Sequence, residues 1–207
     1  MIGLVAVTVD YGRCVSFTIL AVLAVLLAAQ IRGDAWQRVL SPARVPVEEA
    51  ISEGEAAAGR PGIPLAKWRH VVTAPPDRPA VREVIVATPY YRVAREAYLR
   101  ALRGEHLTPA EARALLDRLV KEHGPFPLGI VLRFSPPPAV LPHPRSVSVV
   151  DASGKKIPVT GFLRPQTGTY EEVELVVDAR RADLRRLTVV VPVEPPQRIE
   201  IDLRGVK

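Results

Sequence analysis

The chain has 207 residues, a net charge of +6 and a single cysteine, Cys14. One cysteine excludes an internal disulfide and a cysteine-based metal site, so neither staples the fold. The length suits one domain of roughly 100–150 residues plus an appendage, and the positive charge is spread as arginine among acids, not gathered into the basic patch that nucleic acid requires.

From the N-terminus, the first feature is an uncharged run from Val15 to Ile31. Its apolar members Val15, Phe17, Ile19, Leu20, Val22, Leu23, Val25, Leu26, Leu27 and Ile31 are the candidate membrane-anchor residues. The run is near the lower limit of the about 17–25 residues that cross hydrocarbon as a helix. A signal-peptide core is usually shorter, about 7–15 residues. Leu27 also stands where a cleavage site ending at Ala29 wants a small residue. The run therefore predicts a retained transmembrane signal-anchor, with a cleaved signal peptide and a buried core helix as the alternatives. Cys14 precedes it and so cannot be the lipidated cysteine of a lipoprotein signal.

The flanking charges, Arg13 against Arg32, Arg38 and Arg44, would by the positive-inside count leave the rest of the chain in the cytoplasm. A short N-terminus ahead of a signal-like run instead exports the domain beyond the run. The second consideration is given more weight, and it predicts a single-pass protein with an extracytoplasmic domain, periplasmic or at the cell surface.

Residues 1–32 are read as N-terminal segment and anchor, 33–79 as a Pro/Gly-rich connector and 80–207 as the main domain. The connector holds a short helix over Val47–Ala58, with Glu48, Glu49, Glu53 and Glu55 as its polar face, closed by the stretch from Gly59 to Pro64. Leu65–Thr73, with Trp68, Val71 and Val72, is a candidate edge strand or a segment lying on the domain.

Val81–Ala87 is rich in β-branched residues and predicts a strand. Thr88-Pro89 then pairs an N-cap with proline at the first helical position. In the helix opened there, Tyr91, Ala94, Tyr98, Ala101 and Leu102 share a face, with Arg92, Arg95, Glu96 and Arg103 mostly elsewhere. A second helix opens on the capping box Thr108-Pro109-Ala110-Glu111 and carries Ala112, Leu115, Leu116, Leu119 and Val120 at helical spacing up to Gly124. The two predict a helical hairpin over residues 88–124, inserted in the main domain and covering one end or edge of a sheet.

After Pro127 the pattern is of strands: Leu128–Ser135, Ser146–Asp151, Ile157–Leu163, Tyr170–Val177, Leu187–Pro192 and Arg198–Leu203. Alternation is clear where Val173, Leu175 and Val177 interleave with Glu172, Glu174 and Val176. The expected fold is mainly β with an α-helical hairpin: an antiparallel β-sandwich, Ig-like only in the generic sense, preceded by one transmembrane helix.

No catalytic constellation is legible. The four histidines, His70, His106, His123 and His143, show no metal-ligand spacing. There is no G-x-S-x-G elbow and no glycine-rich phosphate loop. The carboxylates Glu171, Glu172 and Glu174 read as a solvated strand face, and Tyr90, Tyr91 and Tyr98 as core more than as a recognition surface. The one close basic cluster, Arg180, Arg181, Arg185 and Arg186, reads as a solvated loop and is the candidate interaction surface.

Function is assigned largely by exclusion. The chain is expected to be a non-enzymatic, membrane-anchored accessory or interaction protein, a single-pass subunit of a larger membrane complex. Its expected partners are the lipid bilayer and protein, not nucleic acid, and no cofactor or metal is expected. The alternative is a module for a small ligand or envelope polysaccharide, which needs Trp68, Tyr90 or Tyr91 exposed on a concave patch. A third is a hydrolase, which needs two histidines clustered with a carboxylate in a pocket.

Overall fold

Among the described residues, alternating and continuous apolar runs build nine strands in two antiparallel sheets. The computed structural model describes residues 40–60, 65–136, 138, 142–163, 171–180 and 182–203. The expected anchor from Val15 to Ile31, together with Arg181, lies outside the described residues. Among the described residues no helix is long and apolar enough to cross a membrane. All of them belong to one unit, Gln37–Lys207.

The first sheet has the order β1 (Arg69–Val71), β2 (Val81–Ala87), β3 (Pro127–Phe134), β7 (Glu171–Asp178), β6 (Val159–Leu163). The second runs β5 (Lys156–Ile157), β4 (Ser148–Val150), β8 (Arg186–Val191), β9 (Gln197–Asp202). The helices α1 (Val47–Ala58), α2 (Pro89–Ala101) and α3 (Pro109–His123) complete a mainly β chain. The candidate edge strand near Trp68 is β1, paired with β2 through His70 opposite Val84.

In the second sheet one face is apolar and buried, with Val149, Ile157, Leu187, Val189, Ile199 and Ile201 all in register. The opposite face carries Arg198, Glu200 and Asp202, so the period-2 signal is clean. Gln197 lies on the apolar side and joins the sheets. Its side-chain carbonyl accepts the Val81 N–H at 2.9 Å, and its amide donates to the Val81 carbonyl at 3.0 Å.

The first sheet is buried on both faces, which is why β3 reads as a continuous apolar run instead of alternating. One face, with Val84, Ile130, Leu132, Val173, Leu175 and Val177, is apolar apart from His70 at its β1 edge. The other carries Glu83, Ile85, Ala87, Val131, Arg133, Glu172 and Glu174, and α2 and α3 lie over it. The helices thus stand over a face of the sheet, not over an end or edge as expected.

Their caps agree with the sequence signals. The Thr88 hydroxyl accepts the Tyr91 N–H at 3.1 Å, and the Thr108–Glu111 capping box is complete. The pairing of helices differs from a simple hairpin. The closest partner of α2 is α1 rather than α3, because Gly54, Ala94 and Ala97 let those two backbones approach: a Cβ on Gly54 would stand 2.8 Å from the Ala97 Cβ. Residues on the segment read as a connector therefore pack on the strand-bearing part. Trp68 is fully buried between Tyr90 and Tyr91, with ring centroids 5.8 and 5.3 Å away. The Arg113 guanidinium donates to the carbonyl of Val45 at 3.0 Å.

Candidate functional site

Because α2 packs on α1, it leaves a gap between itself and α3 above the sheet. This gap is a cavity of about 400 Å³. Its floor is mixed: Ile85, Ala87 and Val131 form the apolar part and Arg133, Glu172 and Glu174 the charged part, with Leu115 and Leu119 from α3 beside it. Its walls are polar: Tyr91, Arg92, Arg95 and Glu96 descend from α2, and Arg118, Glu122 and His123 from α3. The stripe of α2 that the sequence places away from its apolar face is thus turned over the sheet, since the small residues Ala94 and Ala97 are taken up against α1.

The strands answer this stripe with buried carboxylates. Glu172 and Glu174 are 5 % and 7 % exposed, so they are not the solvated face the sequence suggests. An anion taken out of water must be paired. Arg133, opposite Glu172 in the ladder, donates to it. Arg133 also donates to Glu83 at 2.7 Å, and Arg69 donates to the same Glu83 carboxylate at 2.7 Å. A chain Arg69–Glu83–Arg133–Glu172 therefore crosses strands β1, β2, β3 and β7. Separately, Arg92 reaches from α2 to Glu174.

Burial alone would raise the Glu83 carboxyl. The hydrogen bonds and charges of Arg69 and Arg133 outweigh it and hold the group below the usual carboxylate range. Burial raises the Tyr91 hydroxyl, which stays a neutral donor. At the rim, Glu96 accepts from Arg100 at 3.1 Å and Glu122 lies 3.7 Å from His123 Nε2.

Two glycines make this geometry possible. A Cβ on Gly129 would stand 2.7 Å from Arg92 Nη2, in the path of the ion pair. A Cβ on Gly161 would stand 2.8 Å from the His123 ring. His123 Nδ1 and Arg92 Nε are buried without a hydrogen-bond partner.

The other sequence candidates fall elsewhere. Trp68, Tyr90 and Tyr91 are packed together and do not form an exposed aromatic patch. His123 is the one histidine lining the cleft among the described residues. His106 is exposed beside Glu55 at 3.1 Å. Arg180 and Arg185 pair with Asp178 and Asp183, and Arg186 lies 3.5 Å from Glu200; all are more than half exposed. Among the described residues, no group of three or more His, Cys, Asp or Glu is placed to hold a metal ion. The network escaped sequence reasoning, though a signal existed: Glu83 and Arg133 are opposite charges facing each other from two largely apolar strand runs.

No protein-family model, curated protein or solved structure matches the chain.

Proposed function

We propose that the chain is a non-enzymatic, membrane-anchored accessory protein that works by binding, a single-pass subunit of a larger membrane complex. Its two sheets, read as a β-sandwich, stand on the extracytoplasmic side. The observation that carries this reading is the condition of the acids on the cleft's sheet face. Glu83, Glu172 and Glu174 each have a guanidinium on them. A carboxylate whose oxygens are taken up by a guanidinium is not open to a substrate, whereas hydrolysis needs an acid or base within hydrogen-bond reach of one. What remains is a recess between two helices and a sheet, the form that small-molecule and side-chain binding sites take.

The membrane half of the proposal is supported by the uncharged run from Val15 to Ile31. It is tested by comparing the full chain with one starting at Gln37, each carrying a reporter after Lys207, in membranes washed at alkaline pH. The full chain should stay in the washed membrane and the shorter one should be released. Protease added from outside should reach the reporter. Release of the full chain by the wash, or a reporter shielded on the cytoplasmic side, would overturn the assignment.

A further inference from the structure

We infer that the cleft is a site for a small amphipathic anion: an oxyacid head, carboxylate or phosphate monoester, on a short apolar body. This rests on reading the chain as a binding protein and names what the cleft holds.

Size sets the first limit. At about 400 Å³ the cavity is near the lower end of the roughly 300–1,000 Å³ typical of small-molecule sites. Ile85, Val131, Leu115 and Leu119 give it an apolar patch, beside Arg133, Glu172 and Glu174, that suits a short hydrocarbon body. The head is decided by which polar groups are left over. Lining side chains include four arginines and four glutamates, so net charge does not choose. Pairing does. Glu172 and Glu174 are covered by Arg133 and Arg92, Glu96 by Arg100, and Glu122 lies beside His123. By contrast, no acidic side chain among the described residues pairs with Arg95 or Arg118. The Arg92 Nε–H is buried and unmet. The groups without a protein partner are thus mainly donors: Arg118 is exposed and Arg95 half-buried, so both are open to a ligand from solvent. A guanidinium, which cannot give up its charge, is met best by the paired oxygens of a carboxylate or phosphate.

Hexanoate and hexyl phosphate are the probes, with hexylamine and hexanol as controls. Each is titrated calorimetrically into the full chain in phosphatidylcholine nanodiscs, with empty nanodiscs as the blank. One site per chain should take both anions, and the amine and alcohol should bind at least tenfold more weakly. The double variant Arg95→Gln/Arg118→Gln should lose at least tenfold in anion affinity while its melting temperature stays within a degree or two of the parent. Arg103→Gln, whose side chain pairs with Glu105 outside the cleft, should bind as the parent does. Equal uptake of all four probes, or undiminished anion binding by the double variant, would overturn the anion assignment and leave the membrane-anchored reading standing. Absence of any saturable anion binding would overturn it as well. Failure of the anchored reading is seen separately, in the washed-membrane experiment.

Discussion

Arg92 on α2 reaches over Gly129 of β3 to pair with Glu174 on β7, so the helix is tied to the sheet across a strand that has no side chain at the crossing. The pair explains how a carboxylate on a central strand can be 7 % exposed. It also makes Gly129 a spacer whose loss is measurable. Gly129→Ala puts a methyl 2.7 Å from Arg92 Nη2 and 2.9 Å from the Ala87 Cβ. The Arg92 end can swing away but Ala87 cannot, so overpacking of about 1–3 kcal/mol is expected. Thermal unfolding followed by circular dichroism reads it; an unchanged midpoint would mean that β2 does not hold Ala87 this close to Gly129.

Removing Arg133 uncovers Glu172, whose side chain is 4 % exposed, and takes one of two guanidiniums from Glu83. A buried charge left without its partner typically costs about 3–5 kcal/mol, whereas replacing both partners by apolar groups is often close to neutral. Arg133→Met should therefore destabilise strongly, and adding Glu172→Leu should restore part of the loss. A double-mutant cycle on unfolding free energies checks this, and additive losses would contradict a shared network.

Acid should lower the domain's stability in two steps. Burial holds the His70 imidazole below its ordinary value, partly offset by Asp202. The folded state thus disfavours the proton, and this contribution, complete above about pH 6.5, is lost as pH falls toward the lower folded value. Glu83 is also lowered in the folded state, against the effect of its burial, by Arg69 and Arg133. Its contribution is present above about pH 4.3 and fades as pH falls through its folded value. Melting temperatures followed from about pH 8 down to about pH 3 should show the two declines beginning near those ordinary values. His70→Gln should flatten the first and Glu83→Gln the second. A profile unchanged by either substitution would contradict the assignment.

Gly54→Ala sets two effects against each other. Alanine favours a helix over glycine by about 1 kcal/mol. Here the new methyl meets the Ala97 Cβ at 2.8 Å and the Ala94 backbone, and overpacking against backbone costs about 1–3 kcal/mol. The packing term should win, so the variant should melt below the parent. A rise in melting temperature would show that α1 and α2 are further apart.

Local features were well legible. The capping box at Thr108 and Glu111, the N-cap Thr88 and most strand runs rest on neighbours within a few residues and appear where that chemistry places them. The run Ile157–Leu163, expected as one strand, instead breaks at Pro158 into β5 of the second sheet and β6 of the first. The cover over each face was not legible. Alternation in β7 shows that Glu172 and Glu174 differ from Val173 and Leu175, but the same pattern arises whether the polar side meets water or remote arginines. Arg133 and Glu172 are 39 residues apart in sequence, and Arg92 and Glu174 are 82 apart. The orientation of α2 was hidden for a related reason. Ala94 reads as part of an apolar stripe with Tyr91 and Tyr98, yet its small size and that of Ala97 suit a helix neighbour, and Gly54 on α1 is what claims both. Gly129 and Gly161 carry no local turn signal, because the partners they admit, Arg92 and His123, lie in helices remote from their strands.

The central claim, that the chain works by binding within a membrane assembly, is tested most directly by its native size. Full-length chain released from membranes in a mild detergent and separated by blue-native electrophoresis should migrate with a partner, well above the 22.6 kDa of one copy plus its micelle. A single band at the mass of the lone chain and micelle, unchanged by crosslinking in the membrane before extraction, would contradict it.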